Sequence, residues 1–498
     1  MIWAILFVPA LCGCLCPVIR PSWPRRALLL AAAALQAALV GSCWVRRPAD
    51  TAAGWLGLDA AGLLFLSLTT ALFLVTAVYA VGYFRQEAGA KRRDWEEGFL
   101  FTNRPEAMFT ACLLWFLAAM SLVSVSRHLG LLWAAVEATT LASAPLIYFH
   151  RHHRSLEAAW KYLLICSVGI ALAMLGNFFL AVAGSAASED GLRLTLDSLL
   201  ESAAGLDPTW FKAAFILCLV GYGTKMGLAP MHTWLPDAHS EAPSIVSALL
   251  SGALLNCAFL ALLRLHAVSC AAALGDFSGS LLMLLGLLSM VLAALFLIHQ
   301  SDFKRMLAYS SVENMGILAL GVGSGGVAVF GSLFHAVNHS LVKAMLFLAA
   351  GNILAACHTK SSAEVRGLLR SHPVTAALWL AGLLAVIGMP PFGAFFSELV
   401  VLRGIVGAGR YALAAVYLAA LGVTFVAMAR IVLPMVFGKG QAGDEGGRVP
   451  IRTAVPEPLW AILPPLALCL AAVAVGLHLP AWLNAVLQSA AAQAGGQP

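Results

Sequence analysis

The segment VGYGTKMGLAPMHTWLP, residues 220–236, combines an apolar helix pattern with features that a lipid-exposed helix avoids. Apolar residues run into it from residue 210, so the sequence predicts a membrane-crossing helix here. Lys225 lies in that helix, where a charge is costly, and Gly227 and Pro230 interrupt the helix directly after it. Pro236 is expected to extend the interruption. A charge beside a break is typical of a functional site.

The composition assigns this helix to a polytopic membrane protein. Of the 498 residues, 61% are hydrophobic and 11% are charged, whereas a water-soluble domain has about 25% charged residues. The longest polar segment, residues 85–106, is too short to form a domain. The sequence therefore excludes a soluble globular fold.

The apolar stretches predict an all-α protein with about fourteen transmembrane helices, of which the seventh and twelfth are broken. The predicted spans are 2–19, 27–45, 58–84, 107–125, 128–149, 157–184, 210–228, 244–266, 279–298, 303–322, 327–356, 373–405, 411–437 and 457–478. No basic region precedes the first apolar run, so we expect a first helix there rather than a cleaved signal peptide.

The distribution of basic residues predicts the orientation of the helices. If the N-terminus faces outside, the inside loops carry nineteen of the 30 Lys and Arg residues and the outside loops carry seven. The positive-inside rule therefore favours both termini on the outer side. The other four, Lys225, Arg264, Lys343 and Arg430, lie within spans. The two arginines are near helix ends, where their side chains are expected to reach the interface.

Glu137 is the predicted partner of Lys225. It lies near the middle of the fifth span, where a carboxylate must be neutralised or paired with a cation. Such a pair can hold and release a proton as its separation changes, because each charge affects the pKa of the other. A protonated glutamate with a purely structural role is the alternative.

The eleventh span contains FGSLFHAVNHSLVKAMLFLAAG, in which His335, His339 and Lys343 are spaced at i, i+4 and i+8. This spacing puts the three side chains on one helical face. We interpret this face as a hydrated proton relay; a metal site and structural hydrogen bonding are the alternatives. The lysine disfavours a bound cation, so no metal ligand is assigned.

The twelfth span contains a second break followed by an acidic residue. Gly388, Pro390 and Pro391 interrupt LAVIGMPPFGAFFSELVVL, and Glu398 follows one to two turns later. The seventh and twelfth spans therefore share a Gly/Pro break near an ionisable residue, and the predicted orientation gives them opposite directions. This arrangement predicts two inverted five-helix repeats.

The predicted division of the chain follows from these repeats. Three transmembrane helices (1–106) precede the first repeat (107–268), and the second repeat (279–437) is followed by a cytoplasmic loop and a last helix (438–498). Four further polar residues are candidate relay members: His232, His239, Asn256 and Glu313. For Glu313, a structural hydrogen bond is an equal alternative. The chain has no recognisable motif for nucleotide, flavin or iron–sulfur binding.

Four segments carry a resemblance to a known family. They are KMGLAPMHTWLPDAHSEAPSIVSALLSG (225–252), FKRMLAYSSVENMG (303–316), HAVNHSLVKAMLFLAAG (335–351) and GMPPFGAFFSE (388–398). In this order they resemble the proton-translocating, antiporter-like membrane subunits of respiratory complex I and its relatives. With VEATTLASAP (136–145), they look most like the hydrogenase-4 component F branch, which belongs to group 4 [NiFe]-hydrogenase complexes of the formate hydrogenlyase type.

The resemblance implies roles for the matching residues. Glu137 and Lys225 match the charge pair of the first half-channel, and His335 and His339 match the central histidines. Lys343 matches a lysine found one helical repeat later in some branches, and Glu398 occupies the broken-helix position, where relatives have lysine or glutamate. One departure concerns Asn256, eight residues before Arg264, where many relatives have a lysine. Because asparagine does not titrate, this link is expected to need water or another residue.

The resemblance also implies a location, partners and cofactors for the complex to which the chain would belong. It implies a proton-translocating subunit in a bacterial inner membrane, with other membrane and peripheral subunits as partners and no nucleic acid. The chain itself is expected to bind no cofactor, while a [NiFe] centre and iron–sulfur clusters are expected in partner subunits. The alternatives are a complex I subunit, a multisubunit cation/proton antiporter, a membrane scaffold that does not pump, and a metal enzyme. Na⁺ is the alternative ion.

Overall fold

The computed structural model describes residues 1–87, 92–93, 100–185, 193–438 and 456–496, and these are mostly helical. The helices are α1 (Ile2–Leu15), α2 (Ser22–Val45), α3 (Ala60–Glu87), α4 (Glu106–Val125), α5 (Leu129–Ile147), α6 (His153–Gly184), α7 (Leu196–Glu201), α8 (Pro208–Met226), α9 (Trp234–Glu241), α10 (Ser244–Leu249), α11 (Leu255–Ala271), α12 (Gly275–Leu297), α13 (Phe303–Ser324), α14 (Val327–Cys357), α15 (Leu368–Ser371), α16 (Pro373–Val386), α17 (Gly393–Gly407), α18 (Tyr411–Phe437), α19 (Leu459–Leu477) and α20 (Ala481–Gln493). Two-residue strands, β1 (Arg92–Arg93) and β2 (Leu100–Phe101), pair antiparallel. A π-helical turn, Leu250–Leu254, joins α10 to α11.

The helices confirm the predicted all-α polytopic membrane protein. In the part of the chain that the structure describes, 11 helical segments are long and apolar enough to cross a membrane. The three other predicted spans correspond to the short α1, the more polar α13 and the interrupted pair α16–α17. The count of fourteen crossings therefore remains a prediction.

The burial pattern distinguishes central helices from peripheral ones. Residues 242–269, which include α10 and all but the last two residues of α11, are all buried, and α14 packs against this segment. The peripheral helices α2, α6 and α18 expose large apolar side chains such as Leu35, Phe178 and Val426. An extended apolar exterior is the surface expected to face lipid.

One end of the bundle, which we call the basic face, contains the described parts of the predicted inside loops. Ion pairs join these loops there, with Arg26–Glu106 at 2.7 Å and Lys360–Glu241 at 2.8 Å. Which side of a membrane this face meets remains a prediction. Several residues used for the orientation lie outside the described residues: Lys91, Lys439, Arg448, Arg452 and the acidic positions of 188–192.

Arg264 corrects one expectation from the sequence. Its side chain does not extend to the interface but is 3% exposed and makes a two-pronged ion pair with Asp59. The guanidinium also donates to the carbonyl oxygens of Ser124 and Ser126. Burial alone would raise the pKa of Asp59, but the charge of Arg264 and hydrogen bonds from Arg264 and the Gly62 N–H hold this pKa below its usual value. The arginine stays inside because the residue before α3 supplies a carboxylate.

Both predicted helix breaks are present. Helix α8 ends at Met226, Gly227 takes the left-handed conformation (φ +82°), and the chain restarts as α9 at Trp234. Similarly, α16 ends at Val386 and α17 starts at Gly393, with Gly388 at φ +66° between them.

Pro236 does not belong to the first break. It lies in the first turn of α9, where the N–H that proline lacks would have no helical partner. The inverted relation of the two repeats remains a prediction.

Candidate functional site

Lys225 is fully buried in the last turn of α8. Its ammonium group donates to the Thr140 hydroxyl at 2.8 Å and to the Tyr162 hydroxyl at 2.6 Å. Tyr162 in turn lies 2.7 Å from the Ser143 hydroxyl, and Ser143 donates to the carbonyl oxygen of Thr139. These contacts give the charge polar partners within an apolar bundle, as a buried cation requires.

Glu137 reaches Lys225 through Thr140 rather than directly. The Thr140 hydroxyl donates to Glu137 Oε2 at 3.1 Å, and Ser167 donates to Glu137 Oε1 at 2.9 Å. One hydroxyl therefore accepts from the lysine and donates to the carboxylate. The predicted partners meet in a Glu137–Thr140–Lys225 bridge, which we call the charge bridge.

The charge bridge leads to a test at Thr140. The sequence predicts proton transport, and on that prediction we expect Thr140→Val, which keeps the shape and removes the hydroxyl, to slow transport by about tenfold or more, because a hydrogen bond to a charged group contributes about 1.5–3 kcal/mol. Proton uptake by reconstituted vesicles would measure the change. Thr209→Val, at the exposed start of α8, is the control. Unchanged uptake by Thr140→Val would show that the hydroxyl link is dispensable.

The break after α8 also helps to accommodate Lys225. Helix C-termini carry partial negative charge from their free carbonyl groups, which favours a cation in the last turn. Trp234, the first residue of α9, donates its indole N–H to the Thr224 carbonyl at 2.8 Å and so ties the two helical segments together. The break therefore supplies polar backbone beside the lysine without opening the bundle.

The predicted stripe on α14 is buried, and each member has a different partner. His335 lies between Asn314 (2.9 Å) on α13 and Ser397 (3.0 Å) on α17. His339 Nε2 lies 3.3 Å from the Ser251 carbonyl of the π-helical turn. Lys343 donates to the Leu307 carbonyl (3.0 Å) and to the Ser310 hydroxyl of α13. The partners are therefore side chains of α13 and α17 together with backbone carbonyls of α13 and the π-helical turn.

Glu398 lies on α17 against the second break. It is 8% exposed, and a Cβ on Gly388 would lie 2.2 Å from Glu398 Oε2, so only glycine leaves room for the carboxylate. Tyr417 donates its hydroxyl to the Glu398 carbonyl oxygen at 3.2 Å. The buried Glu313 on α13 lies within electrostatic reach of both Lys343 and Glu398. Glu313 is therefore a buried charge that interacts with a residue of the α14 stripe and with the glutamate at the second break.

The remaining relay candidates lie between the two groups or beside them. His239 is fully buried on α9, stacks on Phe347 of α14 at 5.0 Å, and is within electrostatic reach of Lys304 and Lys343. Asn256 donates to Ser340 of α14 at 2.7 Å. His232 is buried near the first break and contacts Tyr309 of α13. Of these residues, Asn256 makes a hydrogen bond to α14, whereas His232 and His239 make ring contacts.

Several residues of the site were not singled out from the sequence. Thr140 and Tyr162 hold Lys225, while Asn314 and Ser397 hold His335. Thr140 follows Glu137 by three residues and so shares its helical face, which was an available signal. Lys304 was interpreted as a basic residue that anchors a helix start on the inside, yet it is 1% exposed and donates to the carbonyl oxygens at 240 and 242. Asp302, two residues before it, caps α13.

Comparisons with known proteins agree on the family that this chain is similar to. A model of the family described as "NADH:quinone oxidoreductase/Mrp antiporter, TM" matches residues 126–424. The chain is 38% identical over 366 residues to the hydrogenase-4 component F homolog of Methylacidiphilum infernorum, covering 73% of this chain and 75% of that protein. It is 30% identical over 401 residues to NADH-quinone oxidoreductase subunit N of Desulforudis audaxviator, covering 78% of each.

The fold is also similar to solved structures. A chain of the membrane-bound sulfane sulfur reductase, an archaeal respiratory membrane complex, superposes with a TM-score of 0.85 over 99% of this chain and 98% of that one. Their sequences are 22% identical, so this likeness concerns the fold alone. The matched region 126–424 includes the charge bridge, the α14 stripe and Glu398.

Proposed function

The chain belongs to the NADH:quinone oxidoreductase/Mrp antiporter family of membrane subunits, and from this premise we propose that it translocates protons within a group 4 [NiFe]-hydrogenase-type complex. The charge bridge is the observation that supports proton transfer most directly. The 38% identity to a hydrogenase-4 component F homolog supports the type of complex.

The first step is the loading and release of a proton at Lys225. With Glu137 ionised, the charge bridge favours the ammonium form of Lys225, since an opposite charge stabilises a cation. When Glu137 becomes protonated or moves away from Thr140, this stabilisation is lost and burial favours release of the lysine proton. Only the Thr140 hydroxyl separates Glu137 from Lys225. A small movement of α5 against α8 would therefore change the interaction between these two charges.

The second step carries the proton along the centre of the bundle. Several buried polar atoms here have no hydrogen-bond partner among the described residues: both ring nitrogens of His239, Oδ1 of Asn256, Nδ1 of His339 and Oε1 of Glu313. Such atoms each cost about 1–3 kcal/mol unless water pairs with them. Internal water beside Asn256 would carry a proton past a side chain that does not titrate.

The last step passes from the α14 stripe toward Glu398. Glu313 links the two electrostatically, and the break at Gly388 places backbone polar groups beside the carboxylate. We assign Glu398 as the residue past which the proton leaves the α14 stripe. Glu313, the charged residue within electrostatic reach of Glu398, lies on α13.

The energy for this transport would come from partner subunits. The proposed partners are membrane and peripheral subunits that hold a [NiFe] centre and iron–sulfur clusters, and their electron transfer would change the charge bridge. The proposed location is a bacterial inner membrane with the basic face toward the cytoplasm. Nineteen of the 30 basic residues favour that orientation.

The type of complex is tested by purifying the tagged chain from its own membranes and identifying the subunits that accompany it. We expect a nickel-containing hydrogenase large subunit and iron–sulfur subunits, with hydrogenase activity in the same fraction. An NADH-oxidising module in their place would contradict the hydrogenase assignment. Recovery of cation/proton antiporter subunits alone would likewise contradict it.

A further inference from the structure

An apolar groove runs along the exterior of α18 and is not used by the proposed transport path. Its volume is about 410 Å³, and its lining includes Ile298, Ala419, Gly422, Val423 and Val426. Most of these side chains are exposed, and a Cβ on Gly422 would have no atom within 4 Å. The groove is therefore open to the apolar exterior that faces lipid.

A second, more polar cavity adjoins the groove toward the basic face. It has a volume of about 330 Å³ and shares Ile298 and Arg430 with the groove. His299, Gln300 and Arg366 also line it. The two together form a cleft with an apolar length and a basic end, which is the shape of a binding site for an amphiphile.

The charge of this cleft is not compensated within the described part of the chain. Arg366 and Arg430 are both exposed, and neither side chain has an ion pair or hydrogen bond to another described residue. The lining of both cavities contains no Asp or Glu among the described residues. Two guanidinium groups at one site favour a phosphate, which accepts two hydrogen bonds from each fork.

We propose that this cleft binds one anionic phospholipid. Arg366 and Arg430 hold the phosphate, with His299 and Gln300 beside the headgroup, and an acyl chain lies in the groove along α18. The basic end belongs to the predicted cytoplasmic face, where membranes expose anionic lipids and where basic pockets between helices bind their headgroups. Arg430, which lies within the thirteenth predicted span, is thus a ligand of the lipid headgroup.

Photolabelling tests the site. The purified protein in detergent would be mixed with phosphatidylglycerol carrying a diazirine in one acyl chain, or with the matching phosphatidylcholine, and labelled peptides mapped by mass spectrometry. We expect phosphatidylglycerol to label α18 near Val423 and Val426. The double variant Arg366→Gln/Arg430→Gln should lower this labelling by about tenfold or more, because hydrogen bonds to a charged headgroup are lost.

Two pairs of variants and controls distinguish lipid binding in the cleft from general contact with lipid. Gly422→Leu should block labelling by filling the groove, whereas Gly407→Leu, where a Cβ also meets no atom within 4 Å, should not. Arg403→Gln on α17 is the control for loss of an exposed arginine.

Three results would overturn the proposal. They are equal labelling by the two lipids, labelling that survives the double arginine variant, and a crosslink in the intact complex that shows a partner helix in the groove. The site does not depend on proton transport, so a failure here would leave the proposed function unaffected.

Discussion

Lys225→Ala is expected to abolish proton transport while the protein still inserts and assembles. Lys225 is fully buried and makes one hydrogen bond within the charge bridge, to Thr140, and a second to Tyr162. Alanine therefore removes the group that we propose carries the proton. Loss of even one such bond corresponds to about tenfold or more in rate. Proton uptake per electron transferred, measured in vesicles with a pH-sensitive dye, separates transport from assembly.

Two further variants distinguish proton release from a structural charge. Lys225→Arg keeps the positive charge, but a guanidinium does not deprotonate in proteins. We therefore expect Lys225→Arg to transport as poorly as Lys225→Ala. Lys212→Ala, at an exposed position of the same helix, should behave as the unmodified protein. Normal transport by Lys225→Arg would mean that the site needs only a fixed charge.

Much of the fold follows from patterns that do not depend on tertiary contacts. Apolar length and the Gly227 and Gly388 breaks are properties of short segments, and the structure shows both breaks. Arg264 was misjudged because its partner Asp59 is distant in sequence. The helix α20 was not expected, since its alanine-rich sequence after Pro480 lacks the length of a span; it packs on α3 and α14.

The site was predictable in its charges and less so in its connections. A single charged residue within an apolar span is easily recognised in a sequence, and Glu137 and Lys225 could therefore be paired from the sequence. The sequence did not indicate that Thr140 would lie between them, because threonine is common in membrane helices as a backbone hydrogen-bonding residue. Likewise, the contact of His335 with Asn314 and Ser397 requires α13, α14 and α17 to pack together.

Glu398→Gln is expected to reduce proton transport about tenfold or more, since glutamine keeps the shape and removes the titrating group. The structure gives the reason: the carboxylate is 8% exposed, lies against Gly388, and is within electrostatic reach of Glu313. Electron transfer by the partner subunits should continue, so the measured change is in protons moved per electron.

The controls for Glu398 separate its charge from its place in the packing. Glu364→Gln, an exposed glutamate at the basic face, should transport normally. Glu398→Asp keeps a carboxylate and should retain more transport than Glu398→Gln. If Glu398→Gln and Glu398→Asp were equally impaired, the side chain would be acting through its length beside Gly388. If Glu398→Gln transported fully, the proton would leave the α14 stripe by another residue, and Glu313 would be the next to replace, because it lies within electrostatic reach of both Lys343 and Glu398.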